Sequence, residues 1–405
     1  MIYDVAIIGA GPAGMMAAIT ASANGKRVVL IDKNPQPGRK LLATGNGRCN
    51  LTNVNASIDN FYGGDMKFIE TVISRFDQRK TIDFFRGLGL VLKEEENCRV
   101  FPRTNQASSV LSVLIRRLER NGVELLLDTP VSGIERTAVW EITTGKGEKI
   151  QSNILILATG GKSVQNLGSS GDGWFWAKKL GHTLTPYYPA LVPMETVESW
   201  PKELQGLRVD ALVWSTCDGK TIRTSVGDVL FTSYGVSGPA IMAHAGGIAP
   251  LMQDNAVLLH IDLFPDMQIE ELSLLIQEML TSDPDRPLSD ALIGLLPDGL
   301  IRTIIRLSGL KETLKSEKIS THNRQNIAVT LKDITLTVSA LRPYKESQVT
   351  AGGLNCDEID PRTLQSRLVK GLYFAGEMLD CDGDSGGYNL QWAWSSGYVA
   401  GLLES

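Results

Sequence analysis

The sequence is poor in the residues that build metal sites and disulfide frameworks. It has four histidines and five cysteines in 405 residues. The cysteines, Cys49, Cys98, Cys217, Cys356 and Cys381, are odd in number, widely spaced and without a CxxC pair, so they read as reduced thiols. His182, His244, His260 and His322 are isolated, and no spacing of His, Cys and carboxylates suggests a metal. His182 follows Gly181 at a helix end and reads as a capping or surface residue. Asp380, Asp382 and Asp384 alternate as calcium ligands can, but the rest of an EF-hand loop is missing, which leaves a polar loop. Basic charge is not in excess. Forty Lys and Arg stand against 45 Asp and Glu, which argues against a diffuse nucleic-acid-binding surface. No apolar run reaches membrane-spanning length, and the first residues carry no basic region, apolar stretch and cleavage site. Neither a membrane span nor a signal peptide is expected, and the cytoplasm is the expected address.

What is abundant is glycine, with 40 residues gathered in a few loops, as where backbone approaches a ligand closely. The length predicts two or three domains. Residues 4–8 form a short apolar run, read as a buried parallel strand. Residues 12–24 are small and Ala-rich, read as a tightly packed helix ended by Gly25, and 27–31 as the next strand. Residues 68–88 and 107–121 have helical spacing. Residues 124–127, 139–143 and 154–158 read as strands, and Asp172 as the N-cap of a helix through Leu180. The character changes near Pro186. Residues 187–343 read as an inserted domain, with a β part over 187–264 and a helical part over 265–343. The domain formed by 1–186 and 344–405 is therefore discontinuous.

Gly9-Ala10-Gly11-Pro12-Ala13-Gly14 follows a strand, opens a helix, and is succeeded by Asp32 after the next strand. Gly9 makes the tight turn, Gly11 lets the backbone approach a pyrophosphate, and Gly14 lets helix and strand pack closely. The helix N-terminus, opening with Pro12 and Ala13, favours the phosphate anion. Asp32, followed by Lys33, is placed to accept hydrogen bonds from ribose hydroxyls. This is an α/β Rossmann dinucleotide unit, and by itself it does not separate FAD from NAD. The C-terminus does. A buried strand ends in Gly376-Glu377, and Gly386-Gly387-Tyr388-Asn389-Leu390 opens a final helix. A second helix tip can stabilise negative charge on a reduced flavin, and Glu377 can bond ribityl or pyrophosphate-side hydroxyls. An NAD enzyme has no need of that closing element.

The segment Gly38-Arg39-Lys40-Leu41-Leu42-Ala43-Thr44-Gly45-Asn46-Gly47-Arg48-Cys49-Asn50, the run Gly371-Leu372-Tyr373-Phe374-Ala375-Gly376-Glu377 and the Gly-Gly-Tyr-Asn-Leu-Gln-Trp-Ala that follows carry a resemblance. The chain resembles the BaiN/YhiN-like flavoproteins, also labelled aminoacetone-oxidase-like, over its whole length. The resemblance implies a glutathione-reductase-type FAD domain split by an insert. It implies that Arg39 and Lys40 lie near phosphates and ribose, and that 44–50 line the flavin ring, Thr44, Gly45, Arg48, Cys49 and Asn50 included. It further implies that Val131 meets the adenine, and that Thr159-Gly160 lies beside the dinucleotide. Thr350-Ala351-Gly352-Gly353 would neighbour the flavin, and the stretch 231–239 would be the insert motif that faces the active site. The chain departs from that family at Ser233, where His or Asp is usual, at Cys98, where Gly is usual, and at Trp174, where Tyr is usual. Cys49 reads more readily as a small buried side chain than as a redox thiol.

Three activities accompany the resemblance. They are reduction of C=C bonds in 3-oxo bile acids, reduction of a uridine in 23S rRNA to dihydrouridine, and oxidation of small amines with oxygen. The first two both add hydride to a C=C conjugated to a carbonyl, then need a proton donor. A reductase of that type is the expected function. An amine oxidase and a non-catalytic flavin-binding docking protein are its rivals. NAD(P)H is the expected donor and docks without a second Rossmann domain. The expected partner is a small apolar enone or an rRNA uridine, with the basic residues Lys311, Lys315, Lys318 and Arg324 of the insert available to RNA. Tyr234, Lys345, Tyr388 and Arg103 are the candidates for proton donor or substrate clamp. Trp174, Trp176, Tyr187, Tyr188 and Tyr234 could wall a flat ligand or belong to the core.

Overall fold

A computed structural model describes residues 2–404. The chain forms two compact units, one from Met1–Pro189 with Tyr344–Ser405 and one from Ala190–Pro343.

The first unit is built on a seven-stranded sheet. Ile2–Ile8 lies at its centre, parallel to Val28–Ile31 on one side and to Lys149–Leu157 on the other. Ile7 is in register with both Leu30 and Ile156, which itself pairs with Tyr373 of Leu372–Phe374. Residues 5–8, 28–31 and 154–157 of these strands are apolar without alternation, as parallel strands covered on both faces require, while residues 149–153 are mostly polar. An antiparallel extension, Trp140–Thr144 and Val131–Arg136, completes that flank. The two long helices beside the central strand, Pro12–Ala23 and Tyr388–Leu402, pack backbone to backbone. A Cβ on Gly397 would fall 2.3 Å from the Ala13 carbonyl oxygen, and one on Gly401 would fall 2.6 Å from that of Ala17. Small residues on both helices thus bring the C-terminal element onto the first helix.

Local differences from the sequence reading have local causes. Residues 68–88 form two helices, Met66–Arg75 and Gln78–Gly87, because the Asp77 carboxylate accepts the Lys80 N–H at 2.8 Å and caps a new start. In Asp172–Lys179 the N-cap is Gly171, at φ 83°, and Asp172 lies inside the first turn. His182 is not a surface residue. It is buried, with Nδ1 3.0 Å from Glu358 Oε2 and Nε2 2.8 Å from Ser366 Oγ, and the Phe374 ring lies edge-on to it.

The second unit is a closed six-stranded barrel with helices. The strands run in the order Met194–Thr196, Gly235–Ser237, Lys220–Thr232, Arg208–Cys217, Val257–Asp262 and Ile334–Leu341, and Met194–Thr196 closes on Ile334–Leu341. Residues 334–341, placed in the helical part from sequence, are therefore a barrel strand. Buried Ile334, Leu336 and Val338 alternate with Thr335, Thr337 and Ser339, the period of a half-buried strand. The helices Ile269–Ser282, Asp298–Leu307 and Thr321–Lys332 each bury one apolar stripe, such as Leu272, Ile276 and Leu280. Lys332 Nζ meets Asp262 Oδ2 at 2.6 Å and also donates to the carbonyls of Phe264 and Met267. His244 is saturated as well. Ser225 O–H donates to the Ala240 carbonyl, so the Ser225 oxygen accepts Nε2–H of His244, and Nδ1 accepts from Ser215.

Candidate active site

The glycine turn at 9–14 shows why each position is glycine. Gly9 sits at φ 106°, with its N–H donating to the Ile31 carbonyl at 2.8 Å. A Cβ on Gly14 would lie 1.8 Å from the Gly9 oxygen. Around Gly11, by contrast, a Cβ would meet nothing within 4 Å. The turn is locked at both ends and open in the middle, the shape a pyrophosphate needs at a helix N-terminus opened by Pro12. Asp32 holds the turn: its carboxylate accepts Ala10 N–H at 2.6 Å on Oδ2, and Asn34 N–H at 2.8 Å and Asn34 Nδ2 at 2.9 Å on Oδ1. Those bonds leave acceptor capacity on Oδ2 for a ribose hydroxyl.

Beside the turn lies a polar knot. Lys40 Nζ forms an ion pair with Glu377 Oε2 and donates to Ser163 Oγ at 2.6 Å. Ser163 donates to Glu377 Oε1 at 2.5 Å, and Thr350 N–H reaches the same oxygen at 2.9 Å. Four separate chain segments are tied here, and Glu377 spends much of its acceptor capacity on protein groups. Arg39 donates to Asn34 Oδ1 at 2.9 Å, and Lys33 pairs with Asp172 at 2.5 Å. Gly160 takes φ 76°, and Thr159 Oγ1 is buried without a hydrogen-bond partner. Val131 is half-buried at the start of its strand.

Residues 44–50 form a tight loop. Gly45, Asn46, Gly47 and Cys49 all have positive φ, which turns successive backbone groups to one side. Thr44 Oγ1 donates back to the Leu41 carbonyl at 2.7 Å. Cys49 is fully buried, and burial pushes its thiol up to about 12. It is a packing residue rather than a nucleophile. The Arg48 guanidinium pairs with Glu95, donates to Asn105, and lies 4.1 Å over the Phe101 ring, so much of its donor capacity is spent on protein groups.

The C-terminal helix tip closes on that loop. Gly387 has φ 105°, and a Cβ there would fall 2.9 Å from Asn50 Oδ1, which is buried and lacks a partner. The Asn389 amide is committed to the loop before it, accepting Gly383 N–H at 2.8 Å and donating to the Gly383 carbonyl at 2.7 Å. The first N–H groups of the helix, through buried Leu390, have no acceptor within it. Gly376, at φ 81°, is held by Ser396 and Trp392. An orphaned amide oxygen, unused helix N–H groups and a left-handed loop together fit the polar edge of a flavin, and the open Gly11 turn fits its pyrophosphate.

The candidate donors fall in different settings. Tyr388 is half-buried at the helix tip, its ring edge-on to Phe61 at 6.0 Å. Burial, and then the neighbouring Cys98, push its phenol pKa up. Cys98 Sγ receives Asn55 Nδ2 at 3.0 Å. Lys345 and Arg103 are exposed. Tyr234 lies in the barrel unit with the Arg342 guanidinium 4.5 Å over its ring. Trp174 and Trp176 are buried core residues. Ser163 and Lys162 join the cluster although the sequence reading passed over them. Their one signal was the position directly after Thr159-Gly160-Gly161. Among the described residues no group of His, Cys, Asp and Glu could hold a metal, and no helix is long and apolar enough to cross a membrane.

The family described as HI0933-like protein Rossmann domain matches residues 3–403. A 3-dehydro-bile acid delta(4,6)-reductase of Clostridium scindens is 33% identical over 400 residues, 98% of this chain and 98% of that one. A ribosomal RNA dihydrouridine synthase of Escherichia coli is 30% identical over 400 residues, 98% of this chain and 96% of its own. A protein of the same description from Haemophilus influenzae is 30% identical over 402 residues, 98% and 97% of the two chains.

Proposed function

The chain belongs to the HI0933-like Rossmann-domain family and is an FAD-dependent oxidoreductase, and from that premise we propose that it reduces a C=C bond conjugated to a carbonyl. A delta(4,6)-reductase of a 3-dehydro bile acid and a dihydrouridine synthase name different molecules with one reacting unit. Bound FAD supplies the hydride chemistry, and NAD(P)H is the proposed source of its electrons. The residues proposed to hold FAD are the 9–14 turn with Asp32 at one end and, at the other, 44–50 with the helix tip at 387–390. Lys33, Arg39, Lys40, Val131, Thr159, Gly160, Gly376 and Glu377 are proposed to lie between and around them.

The observation that carries the reading is Tyr388, a half-buried phenol at the tip of the closing helix with its ring edge-on to Phe61. An enolate formed by hydride addition needs one proton at the α-carbon, and a phenol supplies it. We favour a small, flat, apolar enone over RNA. Among the insert's cations, Lys315 pairs with Asp285, Arg302 with Asp298 and Glu312, and Arg306 with Glu203, so carboxylates offset the charge that phosphates would seek.

The experiment is anaerobic turnover of the FAD-loaded protein with NADPH and a 3-oxo-4-ene steroid, followed by loss of the enone absorbance. A parallel reaction uses rRNA and maps dihydrouridine. Turnover of the steroid alone is expected. If neither is reduced and an oxygen electrode instead records peroxide formation with a small amine, the reductase reading falls. Tyr388→Phe is expected to lower kcat about 10²-fold while FAD stays bound.

A further inference from the structure

Lys162 follows Thr159-Gly160-Gly161, shortly after the strand Lys149–Leu157. Its backbone is fixed, since its N–H and that of Ser163 both donate to Thr350 Oγ1, at 2.9 and 3.1 Å. The same Ser163 belongs to the Lys40–Glu377 knot, so Lys162 stands at the edge of the cofactor cradle. A Cβ on Gly171 would lie 3.3 Å from Lys162 Cγ, so the turn before Asp172–Lys179 packs on its stem.

The ammonium has an unusual set of neighbours. Lys162 Nζ lies 5.1 Å from the centroid of the Tyr187 ring and 5.8 Å from that of Tyr344. Trp174, buried, backs Tyr187 with 4.8 Å between the ring centroids. Lys33 and Lys40 close by are paired with Asp172 and Glu377, but among the described residues no carboxylate pairs with Lys162. Tyr344 O–H donates to the Tyr187 carbonyl at 3.0 Å, so that hydroxyl is already committed. An ammonium has three N–H donors, and ring faces satisfy it only electrostatically. Half-buried among aromatic rings, it keeps a donor for one more acceptor, in surroundings where such a bond is strengthened by low dielectric.

We propose that Lys162 anchors the carbonyl oxygen of a flat conjugated substrate, with Tyr187 and Tyr344 as the aromatic surround that keeps water from that bond. The proposal rests on the reductase reading above and deepens it. Addition of hydride at the β-carbon moves the C=C pair toward the carbonyl and leaves negative charge on its oxygen. A proton then reaches the α-carbon and the carbonyl re-forms. The two electrons come from the reduced cofactor, supplied in turn by a nicotinamide nucleotide. Lys162 keeps its proton throughout and holds the oxygen while it is negative. The recognised unit, a carbonyl on a planar conjugated ring, is common to a 3-oxo-4-ene steroid and to uracil.

The test uses the FAD-loaded protein and 4-nitrophenol, a flat ring whose oxygen is negative in the coloured phenolate form. Wild type is expected to bind the phenolate and shift its visible band. Lys162→Met is expected to weaken that binding at least tenfold with flavin content and melting temperature unchanged, and Lys162→Arg to restore part of it. Lys162→Gln serves if the Met variant loses flavin. With an enone, kcat/KM should fall about 10²-fold in Lys162→Met. Unchanged 4-nitrophenol affinity in flavin-replete Lys162→Met, or no phenolate binding by wild type, overturns the anchor. Phenolate binding that depends on Lys162, in a protein that reduces neither steroid nor rRNA uridine, keeps the anchor and removes the reductase reading.

Discussion

The two units treat buried polar groups differently. In the barrel unit His244 is bonded at both ring nitrogens, and Lys332 is shared among Asp262 and two carbonyls. Those groups have nothing left to offer a ligand, and they fix strands and helices in place. In the Rossmann unit Asn50 Oδ1 and Thr159 Oγ1 are buried without partners, Lys162 has aromatic faces in place of a carboxylate, and four of the residues 45–49 stand at positive φ. An orphaned buried acceptor costs roughly 1–3 kcal/mol, and such a cost persists where a ligand relieves it. Thr81 Oγ1 in the Rossmann unit and Arg324 Nε in the barrel unit are also buried without partners, so the contrast is one between these particular groups.

Three substitutions or conditions test that contrast. Gly14→Val should have the largest effect, because even its Cβ would overlap the Gly9 oxygen. The expected product is a colourless protein, read from the flavin band of the purified chain. A yellow Gly14→Val protein would mean that the turn does not hold the cofactor. Next is Lys332→Met. Removing one partner of a buried pair leaves Asp262 uncompensated, at a cost of about 3–5 kcal/mol. Urea unfolding of the flavin-loaded protein should show the barrel unit destabilised and the flavin retained at low denaturant. Loss of flavin in step with the barrel would show that the two units do not act separately.

The smallest effect comes from pH. Desolvation lowers the pKa of both buried histidines, to about 3 for His244, whereas Glu358 partly opposes the shift at His182. A histidine with a folded pKa below its unfolded value of about 6.5 binds fewer protons when native. Its stability contribution is complete above about 6.5 and is lost as pH falls toward the folded value. The expected slope is up to about 1.4 kcal/mol per pH unit for each such group. Stability curves from pH 7 to 4 should therefore fall less steeply in His244→Gln than in wild type. Parallel curves would show that His244 does not stay neutral in the fold.

The chain's Rossmann start was readable because its signals are contiguous. Gly9, Gly11, Gly14 and Asp32 act within one βαβ unit, and the stretches 5–8 and 28–31 that they join are uniformly apolar. The barrel was less readable. Lys220–Thr232 carries charged and hydroxyl residues along much of its length, and Ile334–Leu341 shows a clear period of two but follows helices closely. Closure also depends on a partner, Met194–Thr196, almost 140 residues earlier. His182 reads from sequence as a capping or surface residue because nothing near it announces Glu358 or Ser366.

Local sequence settled what a few consecutive residues can enforce: a glycine turn that accepts phosphate, an Ala-rich helix that packs closely, a Gly-Gly helix start. Tertiary structure alone decided which distant groups meet there. Lys40 reaches Glu377, Asn50 reaches Gly387, and Lys162 is left facing rings instead of a carboxylate. The reason is physical. Backbone conformation follows from steric limits within a residue or two, whereas desolvation and pairing of a charge depend on every segment that folds against it.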